Sequence, residues 1–236
     1  MAYLNGEERS SYVQNMFSNI SNNYDFMNRI MTVGQDMRWR REVIRRAGLN
    51  SSSCLLDLGT GTGDLARLAA QKYPWLQISA ADFTLEMMKI GKSRADSNTG
   101  WLAADALQLP FKDNTFDAIV SGFLLRNLVD IDQSLSDQYR VLIPGGRIVT
   151  LDTTPPPANI LRPFIRFYFH KIIPILGSLI IHQPEAYHYL PDSTEHFLQP
   201  EKLADRFRSA GFAQVGFRRL MFGTVAIHWG EKPINE

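Results

Sequence analysis

Asp57-Leu58-Gly59-Thr60-Gly61-Thr62-Gly63-Asp64 decides the reading of this chain. The apolar run Cys54–Leu58 leads into it as a buried strand, and Leu65–Tyr73 leaves it as a helix. Glycines at such a junction let the backbone approach a ligand and adopt positive φ. The free N–H groups of the helix start face that ligand. A dinucleotide fingerprint would read G-x-G-x-x-G. Here the spacing is G-x-G-x-G, with Asp57 two residues ahead of the first glycine. That suits a nucleoside ligand without a pyrophosphate, of which S-adenosylmethionine is one. Asp57 is expected to orient the loop or hold the ligand's ammonium. The loop itself (Gly59, Thr60, Gly61, Thr62, Gly63) is expected to receive the methionine portion.

Outward from the loop, further polar residues stand at strand ends. Leu76–Ala81 reads as a second strand, closed by Asp82, 19 residues after Gly63. A carboxylate there can accept from both ribose hydroxyls, and Phe83 can flank the adenine. Trp101–Ala104 reads as a short third strand, followed by Asp105 and Ala106, placed for the adenine amino group and a ring nitrogen. Phe116–Ser121 reads as a fourth, ending in Ser121 at the same edge. Leu85–Ala95 reads as the intervening helix. Asp130 caps another that runs to Leu142 and stops at Pro144-Gly145-Gly146. Arg147–Leu151 follows as a strand. The alternation predicts a parallel, doubly wound sheet with its ligand in the crevice at the strand ends.

The rhythm breaks after Asp152. Leu203–Ala210 reads as a helix. Gln214–Met221 and Thr224–Trp229 read as a hairpin bringing an antiparallel strand. Residues 7–48 read as helices, with Tyr12, Val13, Met16, Phe17 and Ile20 at helical spacing. Residues 158–181 are apolar but interrupted by Arg162, Arg166, His170, Lys171, Pro163 and Pro174. A span would need about 20 nearly uncharged residues, so none is expected. Two readings of this segment stand: a buried core helix, or a groove for an apolar tail built from Phe164, Phe167, Phe169, Ile172, Ile173, Ile175 and Leu176.

Composition narrows the function classes. The 236 residues suit one domain, 44% are hydrophobic, and the formal charge is +1. No global field attracts nucleic acid. Cys54 is the lone cysteine, which fits a reducing cytoplasm and gives no disulfide framework. No basic n-region precedes an apolar stretch, so no secretory signal is expected. No paired Cys/His pattern or H-E-x-x-H occurs, so no metal is expected.

Three stretches resemble the ubiquinone/menaquinone biosynthesis C-methyltransferase family. The first is YDFMNRIMTVGQDMRWR, carrying Tyr24, Asp25, Met27, Asn28, Gly34, Trp39 and Arg40. The second is LLRNLVDIDQSLSDQYRVLIPGGR, carrying Arg126, Asn127, Asp130, Arg140, Val141, Leu142, Pro144, Gly145 and Gly146. The third comprises YHYLPDS, AGF and GTVAIHWG near the end. The similarity runs over nearly the whole chain. It departs at Asp152-Thr153-Thr154-Pro155-Pro156-Pro157, at Ser193-Thr194 and at Phe222-Gly223-Thr224-Val225.

The resemblance implies an α/β fold of the Rossmann-like class I methyltransferase type: a seven-stranded, mostly parallel sheet with an antiparallel last strand, N-terminal helices and a helical insertion. It implies one domain, with 1–48 as a helical lid, 49–152 binding cofactor, and 153–236 holding the acceptor insertion and C-terminal hairpin. By the family's pattern, S-adenosyl-L-methionine contacts fall on Thr62, Asp82, Asp105, Ala106 and Ser121. The implied reaction is C-methylation of a prenylated quinol, demethylmenaquinol to menaquinol, or else of a ubiquinol precursor or another lipid-like aromatic acceptor. The implied setting is cytoplasmic, with peripheral contact to a membrane surface, no nucleic acid, and a homodimer as an open expectation.

Such chemistry needs a ring hydroxyl deprotonated and its phenolate stabilised. Arg126 stays charged and can do the second; its other reading is a salt bridge to Asp130. Asn127 can bond a hydroxyl. Tyr24 and Asp25 belong either to the catalytic cover or to a helix cap. His170, His182, His188, His196 and His228 can titrate near neutrality, but none has a diagnostic spacing. His182 and His188, with Tyr187, fall in the expected acceptor region. Three rivals stand against this reading. A dehydrogenase wants the longer glycine spacing. An exocyclic-amine methyltransferase of nucleic acid wants Asn/Asp-Pro-Pro-aromatic where Ser121-Gly122-Phe123-Leu124 stands. A non-catalytic quinone-binding protein would not need the intact glycine and acidic positions.

Overall fold

A computed structural model describes residues 6–95, 98–175 and 184–234. Three helices come first: α1 (Gly6–Ile20), α2 (Tyr24–Met31) and α3 (Asp36–Arg46). The sheet then builds as β1 (Cys54–Leu58), α4 (Asp64–Lys72), β2 (Gln77–Asp82), α5 (Leu85–Arg94), β3 (Thr99–Ala103), β4 (Phe116–Gly122), α6 (Ile131–Val141) and β5 (Leu142–Thr153). The insertion holds α7 (Arg162–Phe167), a π turn over Tyr168–Ile172, and α8 (Pro184–Glu195). α9 (Pro200–Ser209), β6 (Ala213–Leu220) and β7 (Val225–Glu231) complete the chain.

The seven strands run in the order β3-β2-β1-β4-β5-β7-β6. The pairs among β1 to β5 are parallel, whereas β7 is antiparallel to both β5 and β6. The order reverses between β1 and β4, which opens the ligand crevice at their C-terminal ends.

Side chains alternate across this sheet, and both faces are covered, so its central strands read as continuous apolar runs. Leu55, Ala118, Val120 and Val149 pack with Trp39, Val43 and Ile44 of α3 and Leu65 and Ala69 of α4. Leu56, Ile119 and Ile148 pack on the other face with Leu135 of α6 and Leu203 and Phe207 of α9.

Strand bounds differ from the sequence reading by one or two residues except at β5. Pro144-Gly145-Gly146 was expected to separate helix from strand. Instead β5 begins at Leu142, which pairs with Phe116, and a register shift between Phe116 and Ala118 takes up the irregularity. Gly145, at φ +79°, donates its N–H to the Lys232 carbonyl at 2.7 Å, so the Pro-Gly-Gly stretch is absorbed as a bulge.

The insertion divides between the two readings of 158–181. Phe169 and Ile173 are buried with Met16, Ile20, Met27, Met31 and Tyr189, sealing the N-terminal helices to the body. Phe164, Phe167 and Ile175 face outward, at 71%, 61% and 53% exposure, and Ile172 is half-buried. These residues therefore do not line one groove, and Leu176 lies outside the described residues. No helix among the described residues is long and apolar enough to cross a membrane.

Candidate active site

The glycine loop leaves β1 with Gly59, Gly61 and Gly63 at φ +65°, +56° and +80°. A Cβ on Gly63 would meet Trp101 at 2.7 Å, whereas one on Gly61 would meet nothing within 4 Å. Gly61 thus opens on free space and owes its identity to backbone conformation. The loop is held from below by carboxylates. Asp57 accepts from the Thr60 hydroxyl at 2.7 Å and from the Ala66 N–H at 2.9 Å. Its Oδ1 is buried without a partner, and burial pushes its pKa up to about 6. Asp82 accepts from the N–H groups of Gly61 and Thr84, each at 2.7 Å, and burial raises its pKa too.

Above the loop lies a cavity of about 360 Å³. It is lined by Asp82, Phe83, Asp105 and Ala106 beyond the ends of β2 and β3, by Gly59, Gly61 and Thr62 of the loop, by Arg40 and Gly122, and by Tyr24, Asn127, Leu128 and Val129. Val13, Gln14 and Phe17 of α1 form the cover, and Gln14 donates to the Phe83 carbonyl at 2.9 Å. Three expected positions, Asp57, Gly63 and Ser121, do not line the cavity. Asp57 lies beneath the loop. Ser121 is buried with an unpartnered hydroxyl, while Gly122, on the other face of the pleat, and Phe123, at φ +63° past the strand's end, line the cavity.

The second signature contributes Asn127 to this cavity and Arg126 to a neighbouring one. Arg126 does not pair with Asp130, which instead caps α6 by accepting from the Gln133 N–H at 2.9 Å. It pairs with Asp152 at the end of β5, through Nη1 at 2.6 Å and its own N–H at 3.2 Å. Burial works against its charge, but Asp152, Tyr24 and Tyr189 outweigh that and keep the guanidinium protonated. Asn127 donates to the Phe123 carbonyl at 2.9 Å and accepts from the Tyr189 hydroxyl at 3.1 Å. A second cavity, of about 460 Å³, lies on the far side of Leu128 and Val129, lined by Arg9, Arg126, Tyr189, Asp192 and His196.

Asp25 joins the cover to the loop, accepting from the Thr62 hydroxyl at 2.6 Å and from Arg94 at 2.7 Å. It is therefore no free base in this structure, and it does not cap a helix. Tyr24 packs edge-on against Phe17.

A family model described as the ubiE/COQ5 methyltransferase family matches residues 5–232. The chain belongs to that family. It is an S-adenosylmethionine-dependent methyltransferase. A Desulfotalea psychrophila protein named as a ubiquinone/menaquinone biosynthesis C-methyltransferase is 49% identical, over 93% of this chain and 90% of its own. A Thermus thermophilus demethylmenaquinone methyltransferase is 42% identical, over 92% and 100%. Among solved structures, the [4+2]-cyclase SpnF superposes with a TM-score of 0.71 at 17% identity, covering 94% of this chain and 96% of that one. The Haemonchus contortus phosphoethanolamine N-methyltransferase 2 in complex with S-adenosyl-L-methionine gives 0.65 at 16%, covering 84% and 53%. The last two likenesses concern the fold.

The residues of this methyltransferase fit its cofactor: an open glycine loop, two carboxylates (Asp82 and Asp105) and the cation Arg40 line one cavity. Of the candidate histidines, His228 is buried in the sheet face, held to the Pro200 carbonyl at 3.0 Å and stacked on Phe217. His170 pairs with Glu195 at 3.0 Å. His196 lines the second cavity with Arg126. His182 lies outside the described residues, as do the side chains of Tyr187 and His188. The sequence reading missed Tyr189 and Arg40, each visible only as a letter in a longer resemblance. It noted Asp152 only as a departure. The departures bond one another: Thr194 donates to the Thr153 hydroxyl at 2.9 Å, and Thr154 to the Gly223 carbonyl at 2.6 Å.

Proposed function

We propose that this chain methylates a ring carbon of a prenylated hydroquinone, with demethylmenaquinol as the acceptor. The observation that carries the reading is the buried Arg126–Asp152 pair, which borders the second cavity together with Tyr189, next to Asn127 and Tyr24, which line the cavity over the glycine loop. The names of the relatives choose the quinol class. The cofactor supplies an electrophilic methyl on a sulfonium. In this assignment Asp82 accepts from the ribose hydroxyls, Phe83 flanks the adenine, Asp105 and Ala106 meet its edge, and Thr62 and the loop glycines receive the methionyl portion.

Arg126 stabilises the acceptor's phenolate, since its protonated guanidinium is kept from water by Phe123 and Asp152. Asn127, fixed through Tyr189 and Phe123, orients the hydroxyl. The helices of 1–48 act as a lid that excludes water from the cavity. Purified protein with labelled S-adenosylmethionine and demethylmenaquinol should transfer one methyl to the ring. Transfer to no quinol, with the cofactor still bound, would exclude the reading; transfer only to a ubiquinol precursor would move the acceptor.

The exposed apolar side chains Ile160, Leu161, Phe164 and Phe167 alternate with Arg162 and Arg166 on and just before α7. This composition suits an anionic membrane surface, where a long-tailed quinol resides. Co-sedimentation with anionic but not neutral vesicles tests it. A dimer through the same face would instead appear as a doubled mass in light scattering.

A further inference from the structure

We propose that Arg40 anchors the carboxylate of the cofactor's methionyl portion. Arg40 projects from α3, is 5% exposed, and yet lines the cavity beside Gly61, Thr62 and Gly122. Its Nε stands 3.5 Å from Asp64 and 3.6 Å from Asp36 but makes no hydrogen bond.

Both carboxylates are already served. Asp36 is hydrogen-bonded by Arg29, and Asp64 accepts from Arg29 at 2.6 Å and Arg67 at 2.5 Å. Three guanidiniums (Arg29, Arg40, Arg67) thus crowd two carboxylates, and Arg40 is the one whose Nε hydrogen-bonds neither. Its charge is also the most buried of the three. Asp25 does not balance that charge, being engaged by Thr62 and Arg94. Asp57 attracts Arg40 through space but makes no hydrogen bond to it, one oxygen being spent on Thr60 and Ala66. A buried cation short of hydrogen-bond acceptors is costly, and an anion in the cavity would offset that cost.

Position narrows the anion. A Cβ on Gly122 would stand 2.9 Å from Arg40 Nη1, so the guanidinium tip packs directly on this cavity-wall glycine. The Phe123 ring holds it from another side, 5.5 Å from its centroid. The tip therefore sits between the glycine loop and the end of β4, on the opposite side of β1 from β2 and β3, the strands that Asp82 ends and Asp105 follows. That polarity orients a ligand carrying a nucleoside at one end and a carboxylate at the other. It also sets where the sulfonium falls between them.

The inference rests on the cofactor and is independent of the acceptor. Calorimetric titration of the wild-type chain, R40Q and R40K with S-adenosylhomocysteine and with its decarboxylated analogue tests it. The wild type should bind S-adenosylhomocysteine at least about tenfold more tightly than the analogue, as expected for a charge-assisted hydrogen bond. In R40Q that ratio should fall towards one, and in R40K to an intermediate value. R40K keeps a cation against Asp36 and Asp64, so it decides the matter even if R40Q does not fold. A wild-type ratio near one, or an unchanged ratio in the variants, overturns the proposal. Binding of neither ligand by the wild type would overturn the cofactor assignment together with it.

Discussion

The Thr62 hydroxyl donates to the Asp25 carboxylate at 2.6 Å, joining α2 to the cofactor loop across 37 positions of sequence. Arg94 of α5 holds the other oxygen at 2.7 Å. One carboxylate thus ties the helical cover to both the loop and α5. Asp25→Ala should raise the Kd for S-adenosylhomocysteine by roughly 5- to 30-fold, the worth of about 1–2 kcal/mol of charge-assisted bonding. Asp25→Asn keeps an acceptor for Thr62 and should raise it less. Global stability should fall by under about 1 kcal/mol, because the ion pair with Arg94 is partly solvated. An unchanged Kd in Asp25→Ala would mean that the cover closes without this bond.

Arg126 and Asp152 are 5% and 2% exposed at the side chain and form a pair cut off from water. Removing either partner strands the other. Arg126→Met and Asp152→Leu should each cost about 3–5 kcal/mol in urea unfolding, while the double variant recovers most of that loss. Methyl transfer should stay lost in the double variant, since no cation remains for the acceptor. Recovery of turnover along with stability would remove Arg126 from the chemistry.

Tyr189→Phe deletes one hydroxyl and leaves its ring packed against Tyr12. Asn127 then loses the donor on its Oδ1 and gains rotational freedom. Turnover should fall about tenfold, the equivalent of one net hydrogen bond, with the Kd for S-adenosylhomocysteine within about twofold of wild type. An equal loss in both would place Tyr189 at the cofactor instead.

Two buried groups give opposite pH dependences. Burial, chiefly, lowers the His228 pKa from 6.5 to about 4. The unfolded chain then binds the extra proton, so the stability contributed by neutral His228 is complete above pH 6.5 and lost as pH falls through about 4. Burial raises the Asp57 pKa from 3.8 to about 6, so its contribution is present below pH 3.8 and lost as pH rises through about 6. Each is worth at most about 3 kcal/mol. Relative to wild type, His228→Gln should shift the unfolding free energy downward with rising pH between 4 and 6, and Asp57→Asn upward. Parallel profiles in the two variants would contradict this.

Phe164 and Phe167 present apolar rings to solvent beside Arg162 and Arg166. The double substitution Phe164→Glu with Phe167→Glu should abolish sedimentation with anionic vesicles. It should raise KM for a long-tailed acceptor by about tenfold or more, since each lost apolar anchor forfeits on the order of 1.5 kcal/mol or more. A short-tailed analogue should react as before. Equal loss with both acceptors would place these residues in the folding of the insertion.

The local chemistry of the loop was legible because it is written within a few residues. G-x-G-x-G after a buried strand needs only backbone freedom and a helix start, and Asp82, Asp105 and Ala106 follow at neighbouring strand ends. The alternation of strands and helices carried the parallel sheet for the same reason. Partnerships between distant segments were not legible. Arg126 had Asp130 within one helical turn, yet it pairs with Asp152, because β4 and β5 lie side by side and the chain between Leu125 and Asn127 turns the guanidinium inward. Ser121 carries a suitable hydroxyl, but the pleat turns Gly122 to the cavity instead, and the left-handed turn after the strand brings Phe123 beside it.

Segments such as 158–175 mix both faces in one apolar run, so composition could not say which rings are buried. Packing against α1 and α2 chose Phe169 and Ile173, and left Phe164 and Phe167 outside. The sequence by itself determined the ligand class, the sheet and the family, all of which depend on short-range pattern. Only the tertiary structure decided which charges are hydrogen-bonded to one another and which is not. A charge's partner is set by the folded distance between elements, and Arg40, unlike its neighbours Arg29 and Arg67, is left facing the cavity without a hydrogen-bond acceptor of its own.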